Sequence, residues 1–284
     1  MRERRWKSSR RGSPALRPPR RESAQHRADE SAARVAHSAA FIISQKREPL
    51  LRSAPDRAVS APALVIYGVG AVARLVYSHV RRHRSVLGFT VDDAVIASGG
   101  AEFCSLPLAP WSVAENAFDP AACEMLIAVG FQEMNGLRVR KHAEAKAKGY
   151  SFATYVDPSV TSHDGVEIAE NCIILEHVSI HPGCRLGPSV FVSSNVNLGH
   201  DCEIGEGAWI NAGVNIGGGT RIGAGGFLGV GAAIGHGVTL GPRVFVGANT
   251  LIDRDVEADA VMLSPPGEKF RLKSEAFLRF ARLP

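Results

Sequence analysis

Large aliphatic residues recur at every sixth position in the second half of the chain. The series runs without a break from Ile168 to Ile252. Glycine often follows the aliphatic residue directly, as Gly199 follows Leu198, and a small or β-branched residue such as Cys202 takes the fourth place after it. Side chains return to the same side of a strand every two residues and to the same face of a helix every 3.6. A period of six therefore indicates a repeat architecture. The aliphatic positions are Ile168, Ile174, Ile180, Leu186, Val192, Leu198, Ile204, Ile210, Ile216, Ile222, Leu228, Ile234, Leu240, Val246 and Ile252.

Three of these six-residue segments make one turn of a triangular coil. The large aliphatic residue of each segment points inward, a small residue packs beside it, and glycine permits the backbone angles of the corners. Residues one turn apart then stack at about the 4.8 Å spacing of neighbouring strands, and each coil buries its faces against the next. Residues 156–257 are therefore predicted to form a parallel β-helix, regular from residue 168 onward.

Strand and helix patterns alternate ahead of the repeat, over residues 61–155. "LVIYG" reads as a short apolar strand before a helical pattern that ends at Val80. "SVLGFTVDD", "MLIAVG" and "SFATYVDP" read as further strands, and an Ala/Lys-rich helix is predicted near residues 134–148. This alternation predicts a small Rossmann-like parallel sheet, whose ligands bind outside the carboxyl ends of the strands.

The turn after the first of these strands carries a glycine motif. Gly68, Gly70 and Ala73 give G-x-G-x-x-A, and Asp92 and Asp93 follow about 20 residues on, where dinucleotide sites place a ribose-binding acid. A tight turn with close helix packing explains the same glycines without any ligand. The motif alone leaves both interpretations open.

Residues 1–60 hold the basic charge of the chain. They contain 15 Lys and Arg against 6 Asp and Glu, so the remaining chain is acidic although the whole has a net charge of +5. Rich in Arg, Ser and Pro without apolar periodicity, this segment is predicted to be a disordered tail. A nucleic-acid arm, a transit peptide and a dispensable extension are the alternatives, and a nucleic-acid partner is not expected. No apolar run reaches the length of a membrane span, so we expect a cytoplasmic protein with no membrane partner.

The cysteines indicate core packing. The five of them form no CxxC pair, which leaves a zinc knuckle or redox motif unsupported. Cys184 and Cys202 lie one coil apart in the small inward column, and Cys172 takes the same place in its own segment. Free thiols in a reducing compartment are expected.

One imidazole and one carboxylate stand side by side within the repeat. His200 and Asp201, in "NLGHDCEIG", are the second and third residues after the inward Leu198. They are therefore expected near a corner with their side chains outward, where they contribute nothing to the core. A histidine that merely caps the edge of a coil is the structural alternative.

A hexapeptide run behind a small α/β domain resembles the left-handed β-helix acyltransferases. Over residues 63–266 the chain looks like the sialic acid O-acetyltransferase and amino-sugar N-acetyltransferase group of bacterial glycan synthesis, whose catalytic motif "GHDCEIG" matches. The resemblance implies a left-handed helix, a homotrimer, acetyl-CoA in the groove between neighbouring helices, and a sugar nucleotide bound by the N-terminal domain.

The resemblance also implies roles for particular residues. His200 becomes the general base, because imidazole titrates near neutral pH, and Asp201 or another acid nearby orients it. Gly218, one coil further on, offers its N–H to the oxyanion, although a corner glycine is the simpler interpretation. The residues implied for the remaining contacts are Gly229, Gly247 and Ala248 toward acetyl-CoA, and Gly68, Gly70, Asp92, Asp93, Gly130 and Trp209 toward the substrate.

The chain departs from the pattern of that group in two places. Trp209 stands where the group often has a second histidine, nine residues after the first. Ala71, Val72 and Ala73 replace the usual Gly-His-Gly or Gly-His-Ala of the glycine-rich loop. A catalytically silent trimeric scaffold or sugar-nucleotide binder is therefore one alternative function.

A zinc carbonic anhydrase of the hexapeptide type is the other alternative. His200 and His236 are two coils apart in one column, which resembles two of that enzyme's ligands. Gly241 occupies the place of the third, so the site is incomplete and no metal is expected.

The sequence thus predicts an acetyl-CoA-dependent acyltransferase acting on an amino or hydroxyl group of a sugar or nucleotide sugar. Residues 258–284 are expected to leave the β-helix at Pro265 and Pro266 and to form a short amphipathic helix. That helix is expected to pack on the last coils or on a neighbouring subunit.

Overall fold

The computed structural model describes residues 61–96 and 101–281, and two kinds of regular structure follow each other along them. The first is a six-stranded sheet in the order β3-β4-β2-β1-β5-β6, parallel except where β3 pairs with β4. The predicted basic tail lies outside the described residues. The strands of this sheet are β1 Ala63–Tyr67, β2 Val86–Val91, β3 Glu102–Phe103, β4 Leu106–Pro110, β5 Cys123–Ile127 and β6 Ser151–Phe152.

Two longer helices flank the sheet. α1 (Ala71–Val80) buries Ala73, Val76 and Val80, which lie three or four residues apart and so share one helix face. α4 (Gly136–Ala147) matches the helix predicted near residues 134–148. The shorter elements are α2 Asp93–Ile96, a 3₁₀ turn at Trp111–Val113, and α3 Ala114–Ala117.

The predicted strand "SFATYVDP" is divided between two sheets. β6 pairs with β5 in the α/β sheet, whereas β7 (Tyr155–Val156) pairs with the first full coil of the repeat. The prediction of one continuous strand here is therefore wrong. The chain leaves the first sheet and enters the β-helix within two residues, Ala153 and Thr154.

The repeat forms three parallel sheets, here called faces A, B and C, in which each strand pairs with the strand one coil away. Face A holds β7, β10 (Ile173–Ile174), β13 (Phe191–Val192), β16 (Trp209–Ile210), β19 (Phe227–Leu228), β22 (Phe245–Val246) and β24 (Val261–Met262). Face B holds β8 (Thr161–Ser162), β11 (Ser179–Ile180), β14 (Asn197–Leu198), β17 (Asn215–Ile216), β20 (Ala233–Ile234) and β23 (Leu251–Ile252). Face C holds β9 (Glu167–Ile168), β12 (Arg185–Leu186), β15 (Glu203–Ile204), β18 (Arg221–Ile222) and β21 (Thr239–Leu240).

The second residue of nearly every two-residue strand points into the coil. These aliphatic side chains form one continuous buried core together with the small residues of the fourth places. Cys172, Cys184 and Cys202 are fully buried there and are free thiols, as predicted. The period-six pattern thus identifies the core of the β-helix directly.

The corners use left-handed backbone at a different residue from the one expected. Positive φ occurs at the third residue after the inward aliphatic, for example at Asp201 (φ 55°) and Gly219 (φ 68°). The glycine directly after the aliphatic residue is required for a different, steric reason. A Cβ on Gly199 would lie 2.5 Å from the backbone nitrogen of Gly218 in the next coil. These glycines permit the close stacking of coils, so the expectation that they supply the corner angles is wrong.

Face A is covered by the α/β sheet and its helices. Its outward column carries Tyr155, Ile173, Phe191, Trp209 and Phe227, all buried in a cluster that also holds Leu64, Val76 and Leu126 of the first sheet. The rings of Phe191 and Trp209 stack with centroids 3.9 Å apart. Faces B and C have no comparable aromatic column. The apolar column on face A therefore packs the α/β unit against the β-helix.

The last coil is shorter than the others. Phe245 pairs with Val261, 16 residues on, where the earlier strands pair at intervals of 18. After the prolines the chain forms α5 (Ser274–Phe280), the short helix that the sequence predicts. None of its residues is buried in the described chain, and its Phe277 contacts Phe270 edge to face.

Candidate active site

The imidazole of His200 is held by the neighbouring carboxylate. Leu198 points into the core at the end of β14, and the chain then turns the corner between faces B and C. Nδ1 of His200 donates a hydrogen bond of 2.8 Å to Oδ2 of Asp201. Both side chains are open to solvent, at 58% and 71% exposed. Because the carboxylate fixes the proton on Nδ1, the lone pair of Nε2 stays available to take a proton from a substrate.

Two glycines leave room for this pair. A Cβ on Gly218, one coil further on, would lie 2.5 Å from Nε2 of His200. A Cβ on Gly183, one coil earlier, would collide with Oδ1 of Asp201. The imidazole therefore rests over the missing side chain of Gly218, and the carboxylate over that of Gly183.

The N–H of Gly218 is free to act as a donor. It donates none of the hydrogen bonds formed among the described residues, whereas the next N–H, of Gly219, donates to the carbonyl of His200 at 2.7 Å. Pro182 and Pro242, which have no N–H, occupy the equivalent place in other segments. This position of the repeat therefore leaves its N–H out of the ladder, and at Gly218 the His200 ring lies in the space that a side chain would occupy.

His236 lies one coil beyond Gly218 in the same column. Its ring centroid is 5.9 Å from that of His200, although two coils separate the backbones by about 9.6 Å at ordinary strand spacing. The two rings therefore lean toward each other over Gly218. No group of three or more His, Cys, Asp or Glu side chains suited to a metal ion occurs within residues 61–96 and 101–281.

A second candidate site opens at the carboxyl ends of β1, β2 and β5. It is a cleft of about 480 Å³, and Gly68, Gly70, Asp92 and Gly130 line it together. Gly68 has φ 122°, and a Cβ there would lie 2.7 Å from the carbonyl oxygen of Ala128. The glycine is therefore required by the tight turn, and its contact with a ligand in the cleft stays a prediction.

The two acids after β2 have different surroundings. Asp92 lines the cleft and accepts a hydrogen bond of 2.6 Å from Nζ of Lys141. Burial and this carboxylate raise the pKa of the Tyr67 hydroxyl far above its usual range. Asp93 instead accepts hydrogen bonds from the backbone and hydroxyl of Ser112 and does not line the cleft. Of the two acids, only Asp92 is placed to contact a ligand in this cleft.

The residues predicted to contact acetyl-CoA lie at another corner. Gly229, Gly247 and Ala248 follow face A strands and mark the turn toward face B, whereas His200 marks the turn from face B to face C. Gly229 and Ala248 are neighbours across one coil, since a Cβ on Gly229 would lie 2.6 Å from the nitrogen of Ala248. One chain therefore does not bring these residues beside His200.

Trp209 is a packing residue in this structure. Only 5% of its surface is exposed, and its Nε1 donates to Oδ1 of Asn211 at 3.1 Å. Phe131 and the guanidinium of Arg138 cover the rest of the ring. Its contact with a substrate stays a prediction, and the internal contacts already account for the residue.

Three polar residues between the α/β unit and the β-helix were not anticipated from the sequence. Arg138 of α4 is 1% exposed and donates to the carbonyls of Ser189 (2.9 Å) and Gly207 (2.7 Å) at the corner between faces C and A. Asn135 donates to Gly225 at the same corner, and Asn171 accepts from the backbone of Ile127. The sequence signals none of these contacts, because each depends on a partner far away in the chain.

A groove of about 780 Å³ runs along face C. Its outward column alternates in charge, and Glu167 pairs with Arg185 at 3.5 Å and Glu203 with Arg221 at 3.4 Å. Neither His200 nor Gly218 lines this groove. The groove is large, but the residues with acyl-transfer chemistry lie at the corner beside it.

Comparison with known proteins places the fold. No family model matches the chain, and no curated protein matches it. PerB from Caulobacter crescentus, in a crystal structure with CoA and GDP-perosamine, is 24% identical over 72% of this chain and 96% of its own, with a TM-score of 0.65. The acetyltransferase domain of PglB from Neisseria gonorrhoeae is 21% identical over 74% of this chain and 100% of its own, with a TM-score of 0.64. This chain has the same fold.

The likeness confirms two predictions made from the sequence, the left-handed parallel β-helix and the α/β unit ahead of it. A further structure of the PglB domain contains acetyl coenzyme A, at 21% identity and a TM-score of 0.63. Within the described residues, no helix has the length and apolar character that a membrane crossing requires.

Proposed function

We propose that this chain is a CoA-dependent acyltransferase that acetylates an amino or hydroxyl group of a nucleotide sugar. The observation that carries the proposal is the arrangement at the corner between faces B and C. There an imidazole held by a carboxylate at 2.8 Å lies over a glycine whose N–H donates no hydrogen bond to any described residue. Acyl transfer needs both parts, a base for the nucleophile and a donor for the oxyanion.

The reaction follows from these groups. Nε2 of His200 takes a proton from the amine or hydroxyl as that nitrogen or oxygen bonds to the thioester carbon. The carbonyl oxygen then carries negative charge and accepts a hydrogen bond from the N–H of Gly218. Collapse of the tetrahedral intermediate breaks the bond between carbon and sulfur, so that the acetyl group stays on the sugar. Asp201 keeps the proton on Nδ1 and stabilises the imidazolium.

The cleft above β1, β2 and β5 is proposed to bind the nucleotide. Its position at the carboxyl ends of parallel strands is typical of nucleotide sites, and Gly68 and Gly70 let phosphates approach the backbone. Asp92, exposed in part and oriented by Lys141, is proposed to accept a hydrogen bond from the ribose. PerB, which shares this fold, was crystallised with a GDP-sugar.

Acetyl-CoA is proposed to lie between copies of the chain. Gly229, Gly247 and Ala248 cannot reach His200 of their own chain, because they occupy a different corner. A homotrimer would place this corner of one helix beside the His200 corner of the next. The CoA arm would then cross the boundary between subunits.

The decisive experiment incubates the full chain with acetyl-CoA and a panel of GDP-, UDP- and dTDP-amino sugars. Acetylated sugar and free CoA should appear in equal amounts, and His200→Ala should serve as the inactive control. A protein that binds acetyl-CoA and a nucleotide sugar but transfers nothing would overturn the proposal in favour of a silent binder. The replacement of the loop histidine by Val72, which lines the cleft, is the observation that favours that alternative.

A further inference from the structure

The corner that carries His200 holds a second imidazole without a partner. His236 is exposed, and its side chain makes no hydrogen bond or ion pair with any residue that the structure describes. Its ring nevertheless leans to within 5.9 Å of the His200 ring, centroid to centroid. The only residue between them in the column is Gly218, whose missing side chain leaves the space that the His200 ring occupies.

The order of these three residues along the axis of the β-helix places one imidazole on each side of the Gly218 N–H. His200 lies one coil before Gly218, and His236 lies one coil after it. When the thioester oxygen is bound to the Gly218 N–H, the entering nucleophile and the leaving sulfur are separate substituents of the same carbon. If the nucleophile takes the side of its base, His200, the sulfur is directed toward His236.

We propose that His236 is a catalytic residue, the general acid that protonates the departing sulfur of CoA. This inference rests on the proposed acyl transfer. As the carbon–sulfur bond breaks, its electron pair goes to sulfur, and the sulfur takes a proton from the His236 imidazolium to leave as a thiol. His200 releases the proton it took from the nucleophile to solvent, and His236 regains one from solvent. Proton uptake and delivery are thereby divided between two imidazoles.

The first test is the variant His236→Asn with His181→Asn as its matched control. His181 lies near the same edge of the helix, with its ring 5.4 Å from that of His163, and has no place in the proposed chemistry. His236→Asn should lower kcat about 10-fold to 100-fold, a fraction of what general acid catalysis typically contributes, with little change in KM for acetyl-CoA.

A change of leaving group separates acid catalysis from structural effects. Aryl thiolates are weak bases that leave without a proton, so S-phenyl thioacetate should be used almost equally well by the native protein and by His236→Asn. Native kcat with acetyl-CoA in His236→Asn would overturn the inference. An equal loss with acetyl-CoA and with the aryl thioester would overturn it too, since the residue would then act on something other than the sulfur.

A binding measurement keeps this inference distinct from the proposed function. The imidazole NMR signals of His236 should shift when CoA binds, and they should shift less with desulfo-CoA, which lacks the thiol. Equal shifts with both ligands would show that the ring does not face the sulfur. If the native chain transferred no acetyl group, the proposed function would fail, while this comparison would still report whether His236 meets the sulfur.

Discussion

At the scale of single residues, substitutions of His200 and Asp201 should lower the catalytic rate without affecting the fold. His200→Ala should lower acetyl transfer by about 10²-fold to 10⁴-fold, the usual contribution of a general base. The trimer and acetyl-CoA affinity should be retained, because the exposed imidazole supports no core. Steady-state rates and a CoA titration are the measurements. Asp201→Asn should reduce the rate less, since it weakens the orientation of the ring without removing the base; the reverse order would contradict the assignment.

Gly218→Ala tests the space under the imidazole. The added methyl would lie 2.5 Å from Nε2 of His200, so the ring must move away from the reacting carbon. We expect a loss in kcat of about 10²-fold, because displacement by roughly 1 Å has costs of that order. Ala224 and Ala248 occupy the equivalent place in other segments, so the coil itself accepts alanine. An unchanged melting temperature is the control, and unchanged kcat would show that the ring position is unimportant.

At the scale of elements, Arg138 should anchor α4 to the β-helix. Arg138→Ala leaves the carbonyls of Ser189 and Gly207 without their donor and opens a cavity beside Trp209. We expect a loss of about 2–4 kcal/mol in the free energy of unfolding. Arg140→Ala, two residues along the same helix, removes an exposed pair with Glu133 and should lower the free energy of unfolding far less. Equal effects in denaturant titrations would contradict this distinction.

His142 of the same helix should make stability depend on pH. Burial lowers the pKa of this imidazole, with Lys146 acting in the same direction and Glu170 and Glu206 opposing it. Its Nε2 lies 3.3 Å from Glu170, poorly aligned for a hydrogen bond. The unfolded chain therefore binds this proton more readily, so stability is full above the ordinary histidine pKa and falls as pH drops below it. His142→Gln should flatten that dependence in melts between about pH 5 and 7.

A feature of the fold could be predicted from the sequence when the residues that cause it lie close together along the chain. The inward positions of the β-helix could be predicted because Leu198 and its equivalents repeat along the chain itself. His200 and Asp201 are also neighbours in the sequence, so their proximity could be predicted. The sequence places Gly218 one coil from His200, but the space that it leaves under the imidazole depends on side-chain positions, and the contacts of Arg138 depend on the corner at Gly207, 69 residues away. Neither is expressed in any local pattern.

At the scale of the whole molecule, we expect a homotrimer. Face A is already covered by the α/β unit, so faces B and C are open for contact between copies. A closed threefold arrangement uses such faces without leaving an unpaired interface. Light scattering at micromolar concentration should give a mass near three times the 30.3 kDa of one chain. A single-chain mass in a fully active sample would contradict the proposal.

An active site shared between subunits is a more specific prediction than the mass of a trimer. His200→Ala removes the base from one corner, and Ala248→Trp should block the other corner, where CoA is proposed to bind. Each variant alone should be inactive, but a co-expressed mixture contains interfaces in which an intact His200 meets an intact Ala248. Random assembly gives such interfaces about one time in four, so the mixture should recover roughly a quarter of native activity. If each chain carried its own complete site, the mixture would stay inactive, since every chain holds one of the two lesions.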